Sequence, residues 1–265
     1  MAKKFKVKTK DNFLDKFLYG LLRIFKRKPE FINLNEGAEN GKDLPQKCLM
    51  IGNHNGAGGP FTFRVFLKHR LMSWGAHQMC EGFTSRRRYL YYTFYRQKLG
   101  WNRVKAFIMS YVFGVLSRPA YSYAGIIPTY FDSRLFHTYK YSMECLEKGI
   151  SVFVFPEDAT DGYKEYIERF WPGFLHFAKL YYKRTGVDLP IYTLFYSKKP
   201  KTIVIGKPMY YQELLKEHTD EEILEIFRNY MNSLNELIPK KKPGAPKGTA
   251  DAVKKKPGTV KDKAA

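Results

Sequence analysis

Cysteine is scarce in this 265-residue chain: Cys48, Cys80 and Cys145 are odd in number and far apart. That excludes a disulfide framework and the close spacing of a structural zinc site, so a reducing, cytosolic setting is expected. Long apolar runs are lacking too. The longest, residues 106–116 (AFIMSYVFGVL), falls short of the roughly 20 residues a helix needs to cross a bilayer. Near the N-terminus, Asp11, Asp15 and Lys16 interrupt the apolar region and no small-residue cleavage site follows. A secretory signal is therefore not expected, and a peripheral or soluble protein is. The chain shows neither a Gly-rich nucleotide-binding fingerprint nor an internal repeat.

Negative charge is the third shortage. Twenty-five acidic side chains face 46 Lys and Arg, a net charge of +21. Nine lysines and two aspartates lie from Lys240 onward, so the tail carries 9 − 2 = +7 and the rest +14. Such a chain attracts polyanions: nucleic acid, anionic lipid headgroups or phosphorylated substrates. Charge alone does not choose among them.

What is present is a foldable chain, 44% hydrophobic and 17% aromatic, long enough to bury one substantial core. Phe13, Leu14, Phe17, Leu18, Leu21, Leu22 and Phe25 recur at helical spacing, and Lys26, Arg27 and Lys28 precede Pro29. The pattern suits a helix packed on its own core, or an interfacial helix with its apolar face in acyl chains and its basic end at phosphates. Residues 85–103 interleave basic and aromatic side chains, a pattern that could stack bases, sit at a membrane interface or line an ordinary helix. Because no known nucleic-acid module is matched, no specific nucleic-acid partner is expected.

Short apolar strands are predicted at 48–51, 125–130, 150–155, 189–195 and 202–205. Helical periodicity is predicted at 61–66, 135–147 and 174–182, and a capping box at Thr219 and Glu222 opens a last helix. The alternation argues an α/β core. The expected organisation is a basic N-terminus and amphipathic helix over 1–32, an α/β domain over 33–239, and a disordered Lys-rich tail over 240–265.

Two places can carry chemistry. His54 sits in a Gly-rich break after a strand (Gly52-Asn53-His54-Asn55-Gly56-Ala57-Gly58-Gly59-Pro60), where a side chain can project into a cleft or simply be structural. Phe155-Pro156-Glu157-Asp158 follows another strand, and its two carboxylates could bind a cation, orient a base or cap a turn.

These segments, in this order, resemble the PlsC-like glycerolipid acyltransferases over about residues 48–208. That family has a strand, Asn-His, four residues and Asp; here Asn53-His54 follows KCLMIG. Gly125-Ile126-Ile127-Pro128 matches its second block, and Val152 to Glu157 (VFVFPE) its third. Leu189-Pro190-Ile191-Tyr192 and Ile205-Gly206-Lys207-Pro208 match later ones, and Gly173 and Ala178 fall where the family often has Gly and Ala. Three positions depart from it. Gly59 stands where the family has its aspartate, Asp158-Ala159 replaces Gly-Thr, and Phe131 occupies the arginine position, with Arg134 nearby.

The resemblance implies a single α/β domain with a mixed sheet flanked by helices, and transfer of an acyl chain from acyl-CoA or acyl carrier protein to a lysophospholipid or glycerol-phosphate hydroxyl. His54 would be the general base. It implies no metal or redox cofactor, and an anionic phospholipid membrane as partner, with peripheral attachment at the cytoplasmic face. Asn53, Gly56, Gly58, Gly59, Pro156 and Arg134 are the expected substrate contacts, the glycine amides and the Arg134 guanidinium suiting phosphate or an oxyanion. With Gly59 in the partner position, three outcomes stay open. Glu157, Asp158 or Asp161 replaces the aspartate in space, a loop carbonyl orients His54, or the chemistry is lost and a lipid-binding protein remains.

Overall fold

The computed structural model describes residues 27–35, 47–55 and 58–239, together with residues 7, 13, 17, 20, 23, 24 and 44. Most of the N-terminal apolar stripe (Leu14, Leu18, Leu21, Leu22, Phe25) and the tail from 240 lie outside the described residues. Phe13 and Phe17 have helical backbone and exposed side chains.

The centre is a seven-stranded mixed sheet flanked by helices. Its strands are β1 (Glu30–Asn33), β2 (Leu49–Gly52), β3 (Leu71–Ala76), β4 (Ile126–Thr129), β5 (Ser151–Val154), β6 (Pro190–Lys198) and β7 (Lys201–Tyr210). Their order across the sheet is β1-β7-β6-β2-β5-β3-β4. Every pair is parallel except the β6–β7 hairpin. The helices are α1 (Gly58–Phe66), α2 (His77–Cys80), α3 (Phe83–Arg88), a π-helical run (Tyr89–Lys98), α4 (Arg103–Ala124), α5 (Leu135–Glu147), α6 (Gly173–Thr185), α7 (Tyr211–Leu214) and α8 (Asp220–Glu236).

β2 and β5 are wholly buried, as strands covered on both faces must be. Alternation along them divides the core by sheet face. Leu49, Ile51, Val152 and Val154 pack with Phe174 of α6 and Phe227 of α8. Met50 and Phe153 turn the other way, onto Phe63 of α1. A third cluster, Met79, Leu90, Tyr95 and Ala106, belongs to the helical segment between β3 and β4. The Thr219–Glu222 capping box opens α8 as expected.

Two strands were not anticipated. β1 spans the boundary drawn between residues 32 and 33 and pairs with β7, so that boundary cuts a sheet strand; its EFIN sequence has no alternation to betray it. β3 (LMSWGA) carries a serine and a glycine where a buried strand is usually aliphatic. Gly75 is needed there, because a Cβ would lie 2.7 Å from Ile126 Cγ2 of β4.

Candidate active site

β2 and β5 are parallel neighbours, with Ile51 opposite Val154, so the segments leaving their C-terminal ends emerge side by side. That is where open α/β sheets build sites. Here it juxtaposes Asn53-His54 with Phe155-Pro156-Glu157, the two places singled out in the sequence.

Asn53 continues β2 by side chain. Its Nδ2 donates to the Tyr196 carbonyl (3.0 Å) and its Oδ1 accepts the Tyr196 N–H (2.7 Å), so the amide imitates a peptide unit against β6. Asn55, at φ +40°, donates to the same carbonyl (2.8 Å). Asn53 was expected to meet substrate; it is buried and committed to holding the turn. His54 projects between these two anchors.

The His54 ring packs against Phe155 (centroids 4.7 Å apart) and Tyr163 (5.4 Å). Its backbone N–H donates to Glu157 Oε2 at 3.0 Å, so the buried carboxylate grips the main chain of the histidine. Burial pushes the Glu157 carboxyl above its ordinary value, against the pull of that N–H and of the Lys98 ammonium. Burial likewise lowers Lys98, with Glu157 and Asp158 resisting. Tyr163, raised by burial, stays a neutral phenol.

Tyr163 comes from the loop after β5, which folds back on its own end. Trp171 N–H donates to the Pro156 carbonyl (2.7 Å) and Asp158 N–H to that of Arg169 (3.0 Å). Asn232 of α8 clamps Ile167 from both sides, donating to its carbonyl and accepting its N–H (2.9 Å each). The loop that closes over His54 is therefore tied to the core.

The remaining expected site residues separate. Asp158 accepts the Thr160 N–H and hydroxyl and lies 3.5 Å from Arg169, which also binds Asp161. Burial alone would raise the Asp158 carboxyl, but those partners hold it below its ordinary range. Arg134 is exposed, paired bidentately with Asp132 and laid over the Tyr130 ring. Pro156 is buried, its carbonyl taken by Trp171. Gly56 lies outside the described residues, and Gly58 begins α1.

Gly59 closes the turn by donating its N–H to the His54 carbonyl (3.2 Å). A Cβ there would sit 2.2 Å from that oxygen and 3.0 Å from the Asn53 carbonyl oxygen. The backbone has closed on the position where the resemblance calls for an aspartate, and no side chain fits.

His54 opens on a cavity of about 730 Å³, within the roughly 300–1,000 Å³ usual for ligand sites. Its walls are mostly apolar: Leu90, Phe94, Leu99, Met109, Phe113, Leu116 and others. Arg64, Lys98 and Lys198 share the cavity with His54. The basic–aromatic stretch 85–103 thus forms much of the wall, through Tyr89, Tyr95, Lys98 and Trp101. Sequence reasoning missed Tyr163, Lys98, Arg64 and Lys198. The signal available was the freedom from acidic residues of the segment that supplies Lys98.

Among the described residues no group of three or more His, Cys, Asp or Glu could hold a metal ion, and no helix is long and apolar enough to cross a membrane. Compared with models of known protein families and with curated proteins, the sequence matches none.

Proposed function

We propose that this chain transfers an acyl group from an acyl thioester, on CoA or acyl carrier protein, to the hydroxyl of a lysophospholipid or glycerol-phosphate-type acceptor. What carries the reading is one conjunction: a histidine just past the end of a central strand opening on a mostly apolar cavity that is also lined by three cations. The apolar walls suit an acyl chain and exclude water. The cations suit the phosphate of the acceptor or of CoA.

In this reading His54 takes the proton of the acceptor hydroxyl as its oxygen attacks the thioester carbonyl carbon. Collapse of the tetrahedral adduct breaks the C–S bond, and the imidazolium returns the proton to the departing thiolate. The ring is oriented by Phe155 and Tyr163 and by the Glu157 bond to its backbone. Removing the orienting aspartate of a serine protease costs about 10⁴ in rate, so glycine in place of the aspartate at position 59 implies a slower enzyme. The test is product formation by the full chain from labelled acyl-CoA and acyl carrier protein, with a panel of lysophospholipids and glycerol 3-phosphate. A new acylated lipid is expected.

One observation favours a second reading, a lipid-binding protein that has lost the chemistry: the closed backbone at Gly59 leaves no room for the missing acid. Acyl-chain binding in the cavity with no product from any acceptor would select it.

A further inference from the structure

Helix α4 is inside out relative to the amphipathic helix of a soluble protein. Its buried positions are small: Ala106, Ser110, Gly114 and Ser117, spaced four, four and three residues apart. They let α3 come close. A Cβ on Gly114 would lie 2.9 Å from the Phe83 ring, and Arg86 Nε donates to the Gly114 carbonyl at 3.0 Å. The large apolar side chains point outward, with Val104 70% exposed, Ile108 54%, Val115 62% and Leu116 58%, and Phe107 and Val112 beside them. Water gains nothing from such a face, and contiguous apolar surface of this kind marks an interaction site.

Two further observations say what covers it. Residues 82–131 hold eight Lys and Arg and no Asp or Glu, a net charge of 8 − 0 = +8. Some of these cations border the apolar face: Arg87 lies over the Tyr111 ring (4.7 Å) and Lys105 over Trp101 (4.0 Å). Apolar surface edged by cations complements one partner on both counts, hydrocarbon beneath a layer of phosphates. The face is also continuous with the site. Phe113 and Leu116 of α4 are exposed and also line the His54 cavity, so the face and the cavity share side chains.

We propose that the outer face of α4 docks this chain on an anionic phospholipid bilayer, the helix lying in the interfacial plane, and that an acyl chain enters the cavity from the lipid past Phe113 and Leu116. Docking does not depend on acyl transfer, so the two are tested apart.

The experiment is co-sedimentation of the full chain with phosphatidylcholine vesicles, with and without phosphatidylglycerol, at low and high salt. The wild type is expected to bind the anionic vesicles and to be weakened by salt. Ile108→Ser/Val112→Ser/Val115→Ser is expected to lose at least about ten-fold in partitioning with an unchanged melting temperature. His54→Ala is expected to bind like the wild type, separating a failure of docking from a failure of chemistry. Equal binding by the triple variant overturns the proposal. So does a melting temperature lowered by several degrees with binding unchanged, which assigns the face to cover by the chain itself. A wild-type dimer that the variant abolishes, without vesicle binding, assigns it to a second copy. Should the triple variant fail to fold, Val112→Trp is read by quenching from brominated acyl chains. Quenching beyond that of the wild type is expected, and its absence overturns the proposal.

Discussion

Placing a side chain on Gly59 probes how the histidine turn is held. The added Cβ of Gly59→Ala meets the His54 carbonyl oxygen at 2.2 Å, the carbonyl carbon at 2.9 Å and the Asn53 oxygen at 3.0 Å. These are main-chain atoms, so no rotamer relieves the contact and the 54–59 closure must open. Overpacking of this kind costs about 1–3 kcal/mol, and losing the Gly59 N–H bond to His54 adds roughly 1 kcal/mol. At about 2–4 °C per kcal/mol for a domain of this size, the combined cost of about 2–4 kcal/mol should lower the melting temperature of Gly59→Ala by roughly 4–16 °C. Gly59→Asp reinstates the acid that the resemblance calls for, yet it should melt no higher than Gly59→Ala and transfer acyl groups more slowly than the wild type. Differential scanning calorimetry and the transfer assay read both. A Gly59→Asp protein that melts with the wild type and turns over faster would refute the account of this loop.

Asn53→Ala should destabilise by about 1–3 kcal/mol in denaturant titration, because the Tyr196 N–H loses its acceptor inside the core while the Tyr196 carbonyl keeps only Asn55. His69 is held down to about 4 by burial, its Nε2 2.8 Å from Ser151 Oγ. Between the ordinary 6.5 and about 4 the unfolded chain takes a proton the native chain refuses, so stability should fall as pH drops through that window. The full shift is worth about 3 kcal/mol, discounted to the order of 1–2 for a half-buried ring, and His69→Gln should flatten this part of a pH–stability profile. Met109→Trp narrows the cavity and should cut transfer of long acyl chains about ten-fold or more while sparing short ones, read in a chain-length series.

The sheet was largely legible because its central strands are apolar runs bounded by turn residues, as at Leu49–Gly52 and Ser151–Val154. β1 and β3 escaped because neither alternates: EFIN is exposed at Glu30 and half-buried over its other three residues, and LMSWGA spends two positions on small residues for close packing. The meeting of His54 and Glu157 was legible in outline, since both follow strands that pair. Its form was not. An expected carboxylate near the ring turned out to bind the backbone, and that depends on register, which spacing along the chain does not reveal. The segment 85–124 was hardest. Tyr89, Phe94, Tyr95 and Trp101 line a cavity while Ile108, Val112 and Val115 of its apolar run are exposed, a division that composition alone does not distinguish from a buried helix.

The central claim is that His54 serves as the base in acyl transfer, and the rate with His54→Gln measures it most directly. With saturating acyl-CoA and the best acceptor from the panel, kcat should fall by at least about 100-fold, the lower end of what a positioned base contributes. The melting temperature and the acceptor KM should stay near wild type. Turnover by His54→Gln equal to the wild type would contradict the claim.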